Sequence, residues 1–278
     1  MRRIHLNILD TLDEYMRLLL KHLTTMQHNE KIRAIKQNKM EILLTLYNAN
    51  ILSNEATLYL WRKQVNEILF LQDLLTANKI NYVFVKTIFL IPYLHVDIDI
   101  MTDKTEISKV ISVLKKNGYY INRVPANQTI ELKRGDISIE LHSDITVLGL
   151  LQLTFKQIGE PVEISIDVYN KLLNNVIYWK SPSLPIHYVL KLLDILDHKI
   201  ITVADMLELK ILSDILSIGN AFFMENELYK YPKVVTFSEI ALIVRTLNLY
   251  KKIVEIKPDI LSFIKDFAYY FKIRIKMI

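Results

Sequence analysis

The hydrophobic period of this chain changes twice, from helical to alternating and back, and this change is what most constrains its fold. Through about residue 80, apolar residues recur every three to four positions, as at Leu58, Trp61 and Leu69, which predicts amphipathic helices. Short apolar or alternating runs then replace them, until the helical period returns near Pro185. The sequence therefore predicts an α+β protein with a compact β-rich middle between helical parts.

Three segments follow from this change of period. Helix signals support the last of them: Thr202 with Asp205, and Thr236 with Glu239, are each spaced as a capping box, and Gly219 marks a helix end. The predicted segments are an N-terminal helical segment at 1–80, an α/β core at 81–180 and a C-terminal helical domain at 181–278.

Acidic residues lie on neighbouring predicted strands of the middle segment. Residues 95–101 alternate strictly, with apolar side chains on one face and Asp97 and Asp99 on the other. A predicted hairpin turns at Arg134-Gly135, and Glu140 lies on its second strand. If these two strands are neighbours in one sheet, the three carboxylates lie close together.

A cluster of three carboxylates has two interpretations. Close carboxylates repel one another unless a cation compensates their charge, and hard divalent cations prefer oxygen ligands. The alternative is an ordinary amphipathic strand that exposes its carboxylates to water. His142 follows Glu140 on the same strand face, where it is either a metal-site residue or a hydrogen-bonded structural histidine.

Several motifs, in order, resemble a known superfamily. The segment from Ala56 to about Asp214 resembles the uncharacterised nucleotidyltransferase-like families of the polymerase-β superfamily. The order and spacing of these short motifs carry the resemblance, more than any one of them alone. The motifs are NYVFVK at 81–86, VDIDI at 96–100, ISIELH at 137–142, DH at 197–198 and ADMLE at 204–208.

The resemblance implies a fold and an activity. The expected fold is a small mixed β-sheet with nucleotidyltransferase-like topology, flanked by N-terminal helices and a C-terminal helical bundle. The expected reaction transfers a nucleoside monophosphate from an NTP to a hydroxyl of a protein, an RNA or a small molecule. By the resemblance, Asp97, Asp99 and Glu140 bind Mg²⁺ or Mn²⁺ and act in catalysis, whereas Lys86 and Thr87 contact the triphosphate.

The chain departs from this family where nucleotide phosphates bind. Thr87 stands where the family usually has glycine, and the gap from Lys86 to Asp97 is short and contains Pro92. Glycine permits close backbone approach to phosphate, and each lost hydrogen bond to a charged group costs about 1.5–3 kcal/mol. We therefore expect weak NTP binding. The alternative function is a catalytically degenerate binding or adaptor module that contacts nucleic acid or a protein partner.

Composition and charge set further limits. The 278 residues include no Cys, which excludes disulfides, thiol nucleophiles and cysteine-ligated metals. The net charge of +5 permits nucleic-acid binding without requiring it. A basic, aromatic helix beginning near Asp259 is a candidate partner surface, and Arg123, Lys133 and Arg134 are either a basic rim or a solvated hairpin. No long uncharged apolar stretch is present, so we expect a cytoplasmic protein without membrane contact.

Overall fold

The structure, a computed structural model, is α+β, as the sequence predicts. It describes residues 2–37, 39–47, 55–87, 90–124, 129–147, 151–198, 200–216, 233–234 and 255–256. The predicted box of Thr236 and Glu239, the helix end at Gly219 and the basic helix beginning near Asp259 lie outside these residues. The described helices are α1 (Leu9–Thr24), α2 (His28–Gln37), α3 (Glu41–Leu46), α4 (Glu55–Ala77), α5 (Ile107–Lys116), α6 (Phe155–Ile158), α7 (Asp167–Leu173), α8 (Leu184–His198) and α9 (Val203–Ile215).

The strands form several small sheets. The largest has five strands in the order β2-β3-β6-β5-β4. In it, β3 pairs parallel with β6, and the other three pairings are antiparallel. The described strands are β1 (Arg3–Leu6), β2 (Tyr82–Phe84), β3 (Ile98–Thr102), β4 (Tyr120–Arg123), β5 (Ile130–Arg134), β6 (Ile137–His142), β7 (Asp144–Val147), β8 (Leu151–Thr154), β9 (Val162–Ile166), β10 (Trp179–Ser181), β11 (Ile200–Ile201), β12 (Lys233–Val234) and β13 (Glu255–Ile256).

Strand β3 is shorter and more deeply buried than the alternation predicts. It begins at Ile98, because its pairing with β6 begins at Ile98 and its pairing with β2 reaches no further than Ile100. All five of its residues are buried, as is usual for a strand with a neighbour on each side and covered faces. His95 and Asp97 therefore lie before the strand rather than in it, and Val96 is 91% exposed.

The hairpin of β5 and β6 confirms the turn chemistry read from the sequence. Leu132 pairs with Ile139, and Arg134 pairs with Ile137 across the turn. Gly135 adopts a φ of 59° there, in the left-handed region that glycine enters without steric cost. The turn fixes the register of β6 against β5. The separate parallel pairing of β6 with β3 then sets Glu140 beside β3.

The start of the chain is a strand, which local periodicity does not indicate. β1 pairs parallel with β9, so that Ile4 lies beside Ile164. Helix α1 then begins at Leu9, where the Asp167 carboxylate accepts hydrogen bonds from the backbone N–H groups of Ile8 and Leu9. These groups are among those that a helix start leaves without an intrahelical partner. A distant carboxylate thus fixes where the first helix begins.

Helices α8 and α9 pack against each other. The predicted capping box of Thr202 and Asp205 is present at the start of α9. Lys191 of α8 lies between Asp205 and Glu208 of α9, with its side chain 0% exposed. Glu208 also accepts a 2.7 Å hydrogen bond from the backbone N–H of Leu90, which ties the helices to the segment between β2 and β3. Among the described helices, none combines the length and apolar character needed to span a membrane.

Candidate active site

Parallel pairing of β3 with β6 brings three ligand-type side chains together. Asp99 lies directly beside Glu140 in the register, as the sequence predicts for strands that are neighbours. The imidazole Nε2 of His142 lies 2.7 Å from Asp99 Oδ1 and 3.6 Å from Glu140 Oε2. One ligand atom from each residue falls within 4.8 Å of the others. Asp99, Glu140 and His142 are hereafter called the acidic cluster.

Asp99 is buried, which argues against the simple solvent-exposed strand. Only 7% of its surface is exposed, and its backbone N–H donates a 2.6 Å hydrogen bond to the Thr87 hydroxyl. Glu140 is more open, with 37% of its side chain exposed. Burial, followed by the nearby charge of Asp99, raises the pKa of Glu140. The cluster therefore has one enclosed side, at Asp99, and one side open to solvent, at Glu140.

Asp97 lies at the edge of the acidic cluster. It precedes β3 and is half-buried, and its ligand oxygens are not among those of the cluster. Burial raises its pKa to about 7, helped by the negative charges of Asp99 and Glu140. Its electrostatic coupling to both residues places Asp97 near them, although not as a paired neighbour of Asp99 on one strand.

Thr87 faces the sheet. Its hydroxyl accepts the hydrogen bond from Asp99 N–H and lies 3.1 Å and 3.2 Å from the carbonyl oxygens of Val85 and Asp99. The residue is 2% exposed. The sequence predicts that Thr87 contacts a triphosphate, but in this structure its hydroxyl links the end of β2 to the start of β3.

Lys86 faces the acidic groups. Its ammonium lies 3.6 Å from Asp194 Oδ1 of α8, and its positive charge lowers the pKa values of both Asp97 and Glu140 against the stronger effects that raise them. Its backbone φ is 56°, a left-handed conformation that costs energy in a residue other than glycine. Lys86 is thus positioned between the acidic residues and helix α8.

The candidate basic rim is only partly present. Arg134 forms a close ion pair with Glu67 of α4, and its guanidinium lies between the rings of Phe70 and Tyr119. This side chain fixes the hairpin to α4. Lys133 pairs with Glu131 at 3.2 Å. Arg134 is therefore a packing residue of the hairpin, and Lys133 pairs within the hairpin, so neither behaves as a phosphate-binding rim.

Sequence reasoning missed the contribution of α8. No sequence signal points to Asp194, and His198 enters only as part of the DH motif at 197–198. His198 lies 3.3 Å from Asp194 one turn earlier, with 66% of its side chain exposed. The only local signal for this pair is its i,i+4 spacing, which is common on helix surfaces. The importance of Asp194 becomes visible only when Lys86 is brought to it by the fold.

The acidic cluster has the donor chemistry of a divalent-cation site. Two carboxylates and an imidazole converge, and a third carboxylate, Asp97, lies nearby. Burial is the main reason that the pKa values of Asp97 and Glu140 are raised, and neighbouring carboxylates raise them further. Carboxylates suit Mg²⁺ and Mn²⁺, and an imidazole ligand favours the transition metals. The residues present therefore fit a divalent cation.

Comparisons with known proteins give a distant structural likeness. No protein-family profile matches the sequence, and no curated protein matches it. A solved structure that matches is that of the lincosamide antibiotic adenylyltransferase LnuA with lincomycin bound. It is 21% identical, with a TM-score of 0.37, and the match covers 54% of this chain and 96% of that one. What the acidic cluster can do chemically follows from its own residues.

The raised pKa of Asp97 predicts how the stability of the metal-free chain changes with pH. Asp97 titrates near pH 7 when folded, against an ordinary value of 3.8, so between these values the folded state binds more protons than the unfolded state. The contribution of Asp97 to the free energy of unfolding therefore falls as pH rises from about 4 to about 7. We expect Asp97→Asn to remove this contribution.

Urea unfolding in EDTA, at about pH 5 and about pH 8, measures this effect. Relative to the parent, the Asp97→Asn variant should gain stability at the higher pH. A difference between parent and variant that is equal at both pH values would contradict the prediction. Adding Mn²⁺ to the parent at the higher pH should restore stability, because a bound cation compensates the ionised carboxylates.

Proposed function

We propose that the chain is a metal-dependent nucleotidyltransferase that moves a nucleoside monophosphate from an NTP to a hydroxyl acceptor. The observation that carries the proposal is the parallel pairing of β3 with β6, which gathers Asp99, Glu140 and His142 within 4.8 Å. Asp97 and Lys86 then add a further carboxylate and a cation beside the cluster. This combination suits a reaction between anionic phosphates and a hydroxyl.

In this proposal each residue has a distinct task. Asp97, Asp99 and Glu140 hold Mg²⁺ or Mn²⁺, which supplies charge neutralisation for the phosphates when bound. His142 Nε2 donates to the Asp99 carboxylate and so fixes its orientation. Lys86 pairs with negative charge on the phosphates, and Glu140, the more exposed carboxylate, accepts the proton of the attacking hydroxyl.

The reaction is an in-line displacement. The acceptor oxygen forms a bond to the α-phosphorus, the bond from that phosphorus to the bridging oxygen breaks, and pyrophosphate leaves with the electron pair. The hydroxyl proton passes to Glu140. Little covalent chemistry falls to the protein, so that positioning and electrostatic stabilisation supply the catalysis.

The geometry favours this function over the adaptor module. Carboxylates that converge support an enzyme, whereas carboxylates splayed apart or roofed by Tyr93 and Pro92 would support a module. Tyr93 stacks on His95 at 4.2 Å and faces Lys39 and Lys191. One observation favours the adaptor module. The Thr87 hydroxyl is hydrogen-bonded to the backbone of β3, so it is not available to donate to a nucleotide phosphate.

The test combines binding with turnover. The full chain is incubated with Mn²⁺ or Mg²⁺ and each of the four α-labelled NTPs, with total RNA or with the chain itself as acceptor. We expect metal-dependent pyrophosphate release and labelled product with at least one NTP. Calorimetry with the same metal–NTP pairs runs in parallel. Binding without transfer would support a catalytically degenerate module. The absence of metal binding, nucleotide binding and transfer would contradict the transferase and leave the adaptor module.

A further inference from the structure

Helix α8 places a buried carboxylate beside Lys86. The Asp194 side chain is 12% exposed, and neighbouring positive charges and the His198 hydrogen bond outweigh burial and lower its pKa. It is therefore ionised at neutral pH. A buried ionised carboxylate is costly unless cations accompany it. At Asp194 two cations contact the same oxygen.

The two cations come from different parts of the chain. Lys86 Nζ, from the segment after β2, lies 3.6 Å from Asp194 Oδ1, and His198 Nδ1, from the end of α8, lies 3.3 Å from that oxygen. The hydrogen bond and charge of Asp194 raise the pKa of His198 to about 9, against partial burial and the charge of Lys86. At neutral pH two positive charges thus share one negative charge.

Two cations therefore contact one carboxylate oxygen on the α8 side of the site. Lys191 also acts electrostatically on Asp194, but it is buried and pairs with Asp205 and Glu208. Because 66% of the His198 side chain is exposed, its ring faces solvent beyond the nitrogen that bonds Asp194. One cation is enough to pair with one carboxylate. The second cation, the exposed His198 ring, can therefore contact an anion from solvent.

The charge pattern across the site is suited to a metal–polyphosphate. Lys86 interacts electrostatically with Asp97 and Glu140 on one side and with Asp194 on the other. Lys86 therefore lies between the carboxylates that would hold a cation and the exposed imidazole. A polyphosphate that is bound to a cation carries negative charge along its length, so it can contact both sides at once.

We propose that Lys86 and His198, held in place by Asp194, bind the distal phosphates of the nucleotide in place of the glycine-rich backbone cradle that this chain lacks. The inference rests on the proposed function and deepens it. Asp194 is a positioning residue in this arrangement, since it acts through the two cations.

The groups that face His198 determine how this site responds to pH. Within the described residues these are Asp194 from α8 and Lys86 from the segment after β2, and Asp97 and Glu140 face Lys86 in turn. His198 is protonated below about pH 9. The contribution of His198 to phosphate affinity should therefore be present at pH 7 and should decline as pH rises through 9.

Inorganic tripolyphosphate with Mg²⁺ is the probe, because it tests phosphate binding without a base, a sugar or an acceptor. Calorimetry with the full chain compares the parent with His198→Gln, which keeps hydrogen bonding but cannot carry charge. We expect about tenfold weaker binding, the value of roughly one charge-assisted hydrogen bond. The matched control is His28→Gln, on the exposed first residue of α2, which should bind as the parent does.

A pH series separates charge from a merely structural role. Between about pH 7.5 and about pH 9.5, tripolyphosphate affinity of the parent should fall towards that of His198→Gln, because His198 loses its charge. The affinity of the variant should change little over the same interval. Lys86→Met is a second variant, expected to weaken binding more, since Lys86 is the more enclosed cation. Thermal melting of each variant confirms that it is folded.

The outcomes distinguish this inference from the proposed function. Equal tripolyphosphate affinity in the parent and in His198→Gln overturns the inference, as does a parent chain that binds no tripolyphosphate. If such a chain still transfers nucleotide, the proposed function stands alone. If binding depends on His198 but no NTP is turned over, the phosphate site stands and the transferase proposal fails.

Discussion

Replacing Lys191 by methionine is expected to lower the free energy of unfolding by about 3–5 kcal/mol, the usual cost of removing one partner from a buried ion pair. The Lys191 ammonium is 2.9 Å from Asp205 Oδ1 and 3.0 Å from Glu208 Oε2, and its side chain is fully buried. The Asp205 contact is an aligned hydrogen bond, whereas the Glu208 contact is one of charge. Methionine would fill the space but leave two buried carboxylates without their cation.

Urea denaturation at pH 7 measures this loss. The matched control is Lys210→Met, because Lys210 pairs with Asp214 on the surface of α9, where the carboxylate is 44% exposed and such pairs contribute about 0–1 kcal/mol. If Lys191→Met does not fold, the triple variant that adds Asp205→Asn and Glu208→Gln should recover folding, since its buried charges are gone. A loss below about 1 kcal/mol for Lys191→Met would contradict the prediction.

The Lys191 network also affects the candidate active site. Glu208 Oε1 accepts the hydrogen bond from Leu90 N–H and lies 3.0 Å from His187 Nε2. Leu90 belongs to the connection that begins after Lys86 and ends before Asp97. The buried ions between α8 and α9 therefore anchor the segment that carries residues on both sides of the site. Weakening this network is expected to loosen the site before the whole chain unfolds.

Local sequence signals predict the parts of the fold that depend on near neighbours. The hairpin of β5 and β6 follows from the Gly135 turn, and the start of α9 follows from the Thr202 and Asp205 capping box. In each case the stabilising contacts join residues a few positions apart, so the pattern itself contains them.

Long-range pairings explain what the sequence does not predict. The first residues of the chain form β1 only because β9, about 160 residues later, supplies the edge that they pair with. The alternation at 95–101 extends past the true strand, since no described strand pairs with residues 95–97. Which residues surround Lys86 likewise depends on the packing of α8, which no local period encodes.

The site shows the same division. The choice of Asp99 and Glu140 needed only strand alternation and the expectation of neighbouring strands, and the register confirms their proximity. His142 was left between two interpretations, and the structure gives it a 2.7 Å contact with Asp99. Asp194 and His198 were not predicted as part of a site because their acidic and basic partners come from separate segments.

Asp99→Asn should be the most damaging single substitution for metal binding, because it removes the buried charge of the acidic cluster while keeping its shape. Losing one charged partner of a buried pair costs about 2–5 kcal/mol, or roughly 30- to 4000-fold in affinity. The asparagine carbonyl can still accept from His142 Nε2, and the backbone N–H bond to Thr87 does not involve the side chain. The variant should therefore fold, so that its loss of affinity reports on charge.

Titration with Mn²⁺, followed by calorimetry or by the spectrum of the free ion, measures the effect. The matched control is Asp136→Asn in the hairpin turn before β6, where the carboxylate is 90% exposed and pairs with Lys63 at 3.3 Å. Both variants lose one negative charge, so a general electrostatic effect would appear equally in both. If the acidic cluster is the metal site, only Asp99→Asn should lose Mn²⁺ affinity. Any Mn²⁺-dependent nucleotide transfer should be lost in that variant too. Equal Mn²⁺ affinity in the two variants would show that the acidic cluster is not a metal site, because a buried ligand and an exposed turn residue would then contribute alike.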